Sequence, residues 1–285
     1  MHLDDSVAQS IPANLPPHSM TNMPMPEPIS PAVPKGVFIM KGMRIRIPAG
    51  GFRIEIHPNG SQSTSLTIEL AVDFTPHWLS CALEHLGAAQ AARAAAEDSA
   101  VRGDEQAMGE ALEREVRASM QAIVGAATAF DAFYALLLEY VSIPSDLVRR
   151  WKKNRTARHR QVAEVMRRAI RFSGETLVGV QRVLSEVYRI RDMAVHPSAA
   201  FGSVVRHPGL PINSDWRLAA FRVENARAAV HSAVSIIAQC HELVRDSHPA
   251  LRKHFSEVKS DIETVVQEFE RQTGLQAWDA RPAPA

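Results

Sequence analysis

An arginine and a histidine five residues apart stand at the end of a predicted helix, in residues 191–196. A neutral imidazole can take the proton from the 2′-hydroxyl of RNA, and a guanidinium can stabilise the charge of the phosphorane that follows. On an ideal helix the two side chains lie about 140° apart around the axis, so they do not share one face. Pro197 disfavours the α conformation at His196, which places this histidine at the helix end, where a second subunit can complete a shared cleft. The pattern predicts metal-independent RNA cleavage at a dimer seam, with Arg191 and His196 as the two candidate residues.

A basic segment precedes this pair. Residues 145–193 contain thirteen Lys or Arg against five Asp or Glu, a net charge of +8, whereas residues 84–117 contain eight acids against four arginines, a net charge of −4. Clustered cations bind phosphate backbones through counterion release, and Trp151 can stack on a base, although packing against the core is the alternative role for Trp151. A solvated helix face would also explain the charges. The candidate RNA-binding residues are Arg149, Arg150, Lys152, Lys153, Arg155 and Arg158.

Composition argues against several classes of protein. The 285 residues carry 32 basic and 31 acidic side chains, so any attraction to nucleic acid must be local. Cys81 and Cys240 lie far apart and form no CxxC pair, which favours neither a disulfide framework nor a zinc site. The acidic N-terminus does not resemble a secretory signal, and no run reaches the ~18 apolar residues that a membrane helix needs. A soluble protein of the cytoplasm, with no cofactor, is expected.

The elements that would position the site begin with two N-terminal regions. Residues 1–35 hold eight prolines and are predicted to be a disordered arm. In residues 36–73, apolar and polar residues alternate over 43–47, 52–56 and 63–72, with turns at 48–51 and 58–61. This alternation predicts a three-stranded β-meander. One apolar face of such a sheet needs cover, which the helical body is expected to provide.

Helical signals dominate residues 74–272. Thr75 and Pro76 form a helix start, and apolar residues at three-four spacing between 104 and 141 predict one long central helix. Caps and breaks divide the rest into a short helix after Ser145 and helices over 157–173, 176–195, 215–247 and 249–272. No repeat of fixed period is visible, so an antiparallel helical bundle is predicted rather than a solenoid. The fold class is mainly α with a small N-terminal β unit, and residues 273–285 are a predicted flexible tail.

The motif and its surroundings resemble the HEPN domain family. Residues 189–197 resemble the family pattern of an arginine, a polar residue and a histidine that closes a helix, and residues 126–134 resemble the first core helix of such domains. The resemblance covers about residues 105–245 and leaves out the β unit and the proline-rich arm. It implies a homodimeric endoribonuclease in which Arg191 stabilises the phosphate, His196 is the base and Asp192 orients one of them. Many members are toxins or anti-phage effectors, so the implied partners are RNA and an antitoxin or regulatory protein.

Structural roles compete with these functional ones at the motif itself. Arg189 also lies within the permitted distance of His196, but apolar Ile190 follows it, so Arg191 is the better match. His196 can instead be a helix C-cap, and Arg191 can be a surface arginine that pairs with Asp192 or with Glu186.

Other polar residues are expected to be structural. Asp131 interrupts the apolar stripe of the central helix and should be paired, with Arg191 or with a backbone amide. His57, His159 and His207 lie in turns or in basic and proline-rich contexts, which favours solvated or structural roles.

The second functional hypothesis is a non-catalytic HEPN module, in which the β unit recognises a ligand or partner.

Overall fold

The chain is mainly helical, as predicted. The computed structural model describes residues 38–196 and 203–277, so the predicted arm and residues 278–285 of the predicted tail lie outside the described residues. The chain divides into two units, Met1–Ile39 and Met40–Ala285, and every element named below belongs to the second. Its helices are α1 (Thr75–Arg102), α2 (Glu105–Tyr140), α3 (Ser145–Lys153), α4 (Arg158–Ala169), α5 (Gly174–Val195), α6 (Trp216–Ala220), α7 (Val223–Glu242), α8 (Pro249–Glu257) and α9 (Lys259–Thr273).

Helices α1 and α2 form the long hairpin at the centre of the core. Helix α1 ends at Gly103, which has a φ of 72°, and Asp104 caps α2 by accepting a hydrogen bond from Ala107 N at 3.0 Å. Gly125 lets the two helices approach closely, because a β-carbon at this position would lie 3.1 Å from Ala82 Cβ. The bounds of α2 confirm the predicted central helix over residues 104–141.

Two of the predicted helices are interrupted. Residues 215–247 contain a strand end, the short α6 and then α7, because Val223 N–H donates at 2.8 Å to the buried carboxylate of Glu115 on α2 and so fixes the start of α7. Residues 249–272 divide into α8 and α9 at Val258. A short hairpin of β5 (Val204–Arg206) and β6 (Asn213–Asp215) was not predicted from the sequence.

Four strands form what we call the β ribbon: β1 (Met43–Arg46), β2 (Phe52–Ile56), β3 (Gln62–Leu66) and β4 (Glu69–Val72). Strand β2 pairs with β3, and β1 pairs with β4, both antiparallel. The predicted three-stranded meander, in which the first strand would pair with the second, is therefore wrong.

The two turns of the β ribbon explain this pairing. The chain reverses at residues 57–61, where Gly60 has a φ of 79° and donates to His57 O at 2.8 Å. At residues 48–51 the turn closes on itself through a hydrogen bond from Gly51 N to Pro48 O at 2.8 Å. Gly51 O then accepts from Thr67 N of the opposite strand at 2.6 Å. The turn at 48–51 is thus a bulge within one long hairpin and not a reversal.

The helical body holds the base of the β ribbon and does not cover its far end. Gly42 N–H donates to Asp261 of α9 at 2.8 Å, and Arg44 Nη1 donates to the Tyr140 hydroxyl of α2 at 3.0 Å. All residues of β2 and β3 are exposed, so none of the helices that the structure describes provides the expected cover over these two strands.

A buried carboxylate lies where the β ribbon meets α1. Asp73 accepts a hydrogen bond from Thr75 N at 2.8 Å and lies 3.3 Å from His254 Nε2 of α8. Both side chains are almost fully buried. The contact therefore ties the end of β4, the start of α1 and α8 together.

Helix α2 is the one described helix long and apolar enough to cross a membrane by length and composition. In this structure, 61% of its most apolar stretch is buried inside the helical body. This is the environment of a core helix in a soluble protein.

Candidate functional site at the end of helix α5

Helix α5 presents Arg191 on the side that faces the core. Tyr188 is buried, and Arg191 follows it by three positions, which places both side chains on one face of the helix. The Arg191 side chain is 25% exposed, so it lies at the margin of the core rather than on the open surface. Helix α5 ends one residue before His196, as the sequence predicted.

The carboxylate of Asp131 on α2 joins three helices. Its Oδ1 accepts from Arg158 Nε of α4 at 2.6 Å and from the Tyr188 hydroxyl of α5 at 2.9 Å. Arg191 Nη1 lies 3.9 Å from Asp131 Oδ2. The expected pairing of Asp131 with Arg191 is confirmed, but Arg158 is a closer partner, which the sequence analysis did not identify.

Aromatic rings support both guanidinium groups. Arg158 Cζ lies 3.9 Å from the centre of the Tyr134 ring, and Arg191 Cζ lies 4.9 Å from the centre of the Tyr188 ring. Burial, together with the charge and hydrogen bond of Asp131, raises the pKa of Tyr188, so its hydroxyl remains a neutral donor. Burial acts to lower the pKa of Arg158, but the hydrogen bond to Asp131 and the charge of that carboxylate together outweigh burial and raise the pKa.

Arg191 has charged neighbours but uncommitted donors. Its Nε lies 2.9 Å from Asp192 Oδ1, an ion pair that does not meet the angles of a hydrogen bond, and the 3.9 Å to Asp131 is too long for one. Glu186, the other predicted partner, pairs with Arg189 instead. Within residues 38–196 and 203–277, no acceptor takes a hydrogen bond from the Arg191 guanidinium. Charge and stacking therefore orient Arg191, whose Nε is buried beside Asp192 while its terminal Nη groups hold no hydrogen bond to a described residue and can donate to an anion.

His196 occupies the C-cap position of α5 and is exposed. Its backbone N–H donates to Asp192 O at 2.8 Å. Its ring makes no hydrogen bond or ion pair with any residue that the structure describes. The structure thus brings the side chains of Arg191 and Asp192 together and does not bring the His196 ring to them. A site that uses both Arg191 and His196 needs a ligand or a second copy to complete it.

His159 is partly buried beside the motif, although the sequence favoured a solvated role. Burial and the neighbouring Arg160 lower its pKa, and the nearby Asp192 carboxylate opposes them without outweighing them. A neutral imidazole is the form that accepts a proton, so His159 is a second candidate base. Its position directly after Arg158 was visible in the sequence. Its closeness to Asp192 depends on how α4 packs against α5, which no local pattern indicates.

The predicted RNA-binding residues fall into two groups. Arg158 is bound to Asp131, and Arg150 Nη2 lies 3.2 Å from Asp146 Oδ2. Trp151 packs partly buried against the core, which confirms its packing role. The remaining four residues are exposed and form no ion pair with any described residue: Arg149, Lys152, Lys153 and Arg155. RNA binding by these cations stays a prediction.

In the described part of the chain, no three His, Cys, Asp or Glu side chains lie close enough together to hold a metal ion. Comparison of the chain with protein-family models, with curated proteins and with solved structures found no significant match. The HEPN resemblance therefore depends on the residues of the motif and of the central helix alone.

Proposed function

We propose that this chain is a metal-independent endoribonuclease of the HEPN type, which cleaves RNA as a homodimer in the cytoplasm. The state of Arg191 is the observation that supports this most directly, because its guanidinium is oriented by Asp131, Asp192 and the Tyr188 ring while its donors are uncommitted. The exposed cations of α3 and the loop after it add a local attraction for phosphate. A toxin or anti-phage defence role, with an antitoxin or regulator as partner, follows from the resemblance.

The proposed reaction uses the 2′-hydroxyl of the RNA itself. The His196 imidazole removes the hydroxyl proton as the 2′-oxygen attacks the adjacent phosphorus, and Arg191 donates to the oxygens of the phosphorane. The bond from phosphorus to the 5′-oxygen breaks, that oxygen takes a proton from water, and the imidazolium of His196 returns its proton to the solvent. The products are a 2′,3′-cyclic phosphate and a 5′-hydroxyl end. Asp192 orients Arg191 through the ion pair at 2.9 Å.

A non-catalytic HEPN module is the second candidate function. The observation that favours it is that the Asp131 network joins α2, α4 and α5 without any part for His196. A purely structural Arg191 would have the same contacts. In that case the helical dimer would act as a scaffold, and the β unit would recognise a ligand or partner.

Cleavage of a labelled, mixed-sequence RNA in the presence of EDTA tests the proposal. We expect the unaltered chain to cleave, and Arg191→Ala and His196→Ala each to lose at least about 100-fold in rate. Arg189→Ala is the matched control, because Arg189 lies on the same helix within the permitted spacing but is exposed and paired with Glu186. It should keep the rate of the unaltered chain.

Three results would decide against this proposal. Loss of activity in Arg189→Ala equal to that in Arg191→Ala would show that the assay does not depend on the specific site. Retained cleavage in His196→Ala with loss in His159→Ala would move the base to α4. Absence of cleavage by the unaltered chain on several RNAs would favour the non-catalytic module.

A further inference from the structure

We propose that the far half of the β ribbon is a homodimer interface, in which an apolar face packs against the same face of a second copy. Alternation along β2 and β3 creates this face. In the register of the pair, Phe52 lies opposite Leu66, Ile54 opposite Thr64 and Ile56 opposite Gln62. All six side chains lie on the same side of the pair. Ile68 continues the alternation from Leu66. We call this surface the apolar ribbon face: Ile47, Phe52, Ile54, Ile56, Leu66 and Ile68.

Each of these six side chains is between 37% and 71% exposed, although each is large and apolar. At about 150 Å² for a fully exposed side chain, they leave roughly 500 Å² of apolar surface open to water. This approaches the upper end for the largest patch on a typical monomer. A two-stranded hairpin is also marginally stable alone in water. The ribbon has the composition of a covered sheet and no cover among the described residues.

Area favours a standard protein interface as the cover. Such an interface buries about 800 Å² on each partner, of which about 60% is apolar, or roughly 480 Å². The apolar ribbon face supplies about that amount by itself. Two such faces would stack as a sandwich of two-stranded sheets about 10 Å apart.

Charge favours a second copy over nucleic acid or an anionic membrane. Between residues 47 and 68 the charged side chains are Arg53 and Glu55, one of each sign. Both lie on the opposite side of β2 from Phe52 and Ile54, because side chains alternate along a strand. Arg46 and Glu69, nearer the base, neutralise each other at 2.5 Å. The face is therefore uncharged, and packing it against its own copy buries no charge and creates no like-charge contact.

The base of the β ribbon is held in place and lies away from the candidate functional site. Arg44 attaches β1 to Tyr140, and Asp131 belongs to the site on the same helix. Tyr140 follows Asp131 by nine residues, about 900° of helical rotation, so the two lie on opposite sides of α2. Dimerisation through the ribbon would therefore leave Asp131 and Arg191 accessible, and a site that uses both Arg191 and His196 would then be completed by its ligand and not by the second copy. This inference does not depend on the proposed ribonuclease activity.

Sedimentation velocity of the full chain over a range of concentrations tests this interface. We expect the unaltered chain to dimerise, and Ile54→Lys combined with Leu66→Lys to weaken the dimer by about 100-fold or more, because each copy would bury two charges. The matched control is Ser63→Lys combined with Ser65→Lys, which adds the same charge to the opposite side of the ribbon. The control should remain a dimer.

A monomeric unaltered chain at all concentrations overturns the proposal, and so does a dimer that survives the Ile54 and Leu66 changes. The latter result would instead locate the contact elsewhere, as at the end of α5. Hydrogen exchange on the unaltered chain covers the case in which the variants do not fold. Amides of residues 52–66 should exchange more slowly above the dissociation constant than below it, and equal rates would count against the interface.

Discussion

Replacing Asp131 should destabilise the helical body far more than replacing an exposed acid of α5. In Asp131→Ala, Arg158 loses an ionic hydrogen bond of about 1.5–3 kcal/mol, and the buried Tyr188 hydroxyl loses its acceptor at about 1–3 kcal/mol. Because the Asp131 side chain is 27% exposed, water can replace part of the contact with Arg158. The lower halves of both ranges apply, and we expect a loss of about 3 kcal/mol.

Urea unfolding, followed by far-UV circular dichroism and tryptophan fluorescence, measures this loss. With a slope of about 2–3 kcal/mol per molar urea, the midpoint should fall by about 1–1.5 M. Glu186→Ala is the matched control, because Glu186 forms an exposed ion pair with Arg189 on α5. Its removal should change stability by less than about 0.5 kcal/mol.

A double-mutant cycle isolates the contact between Asp131 and Tyr188. Tyr188→Phe should cost about 1 kcal/mol in the unaltered chain and close to nothing when Asp131 is already alanine. Equal costs in both backgrounds, or a midpoint for Asp131→Ala as high as that of Glu186→Ala, would refute the assignment of Asp131 as the residue that joins α2, α4 and α5.

Three further predictions concern packing and pH. Gly125→Ala should lower the free energy of unfolding in urea by about 1–3 kcal/mol, because the added methyl group meets Ala82 at 3.1 Å. Gly179 is exposed and has nothing near its added carbon, so Gly179→Ala should raise that free energy by about 0.5–1 kcal/mol. A gain at both positions would contradict the close helix contact. Because the pKa of Tyr188 is raised in the folded chain, the stability of the chain should fall as the pH rises above about 10, the usual tyrosine value. In urea titrations between about pH 9 and 11, Tyr188→Phe should therefore lose less stability than the unaltered chain. Burial acts to raise the pKa of Asp73, but its hydrogen bonds outweigh burial and lower that pKa. The contribution of Asp73 to stability is therefore present above about pH 4 and is lost as the pH falls. The melting temperature of Asp73→Asn should depend less on pH below about 5 than that of the unaltered chain.

Periodicity predicted the helical core well because it reports burial directly. The stripe from residues 104 to 141 became α2, with an aspartate cap and a buried face at the expected positions. The break before α7 was not predicted because it depends on the buried Glu115. This carboxylate accepts a hydrogen bond from the Val223 amide, 108 positions away in the sequence. No local sequence pattern carries that information.

The β ribbon shows a different limit. The alternation of apolar and polar residues located the strands correctly, because it depends only on the local extended conformation. Which strands pair depends instead on which turn reverses the chain. Both 48–51 and 58–61 have turn composition, and only hydrogen bonding separates the bulge at Gly51 from the reversal at Gly60. The sequence therefore predicted strands but not partners.

At the candidate site, the sequence predicted one contact between helices and missed the others. Asp131 stood out because a carboxylate inside an apolar stripe needs a partner, and the expected Arg191 was found. Arg158 was predicted to bind RNA rather than Asp131, and His159 was expected to be solvated, because a basic run has no signal for the positions that turn toward the core. The pairing of Arg158 with Asp131 removes one of the six predicted RNA-binding cations from the open surface.

These contacts give the end of α5 an electrostatic character that any function must accommodate. A helix C-terminus carries partial negative charge, and Asp131 and Asp192 add carboxylates beside it, so an incoming phosphate would be repelled by the helix end alone. Arg191 and Arg158 offset those charges, and α4 begins at Arg158, which brings the partial positive charge of its N-terminus to the same place. An anion at this position would draw Arg191 away from Asp131 at little cost, because their 3.9 Å contact holds no hydrogen bond, whereas the 2.6 Å bond from Arg158 would remain. The two arginines are thus suited to different tasks: Arg158 to holding the helices together and Arg191 to meeting a ligand.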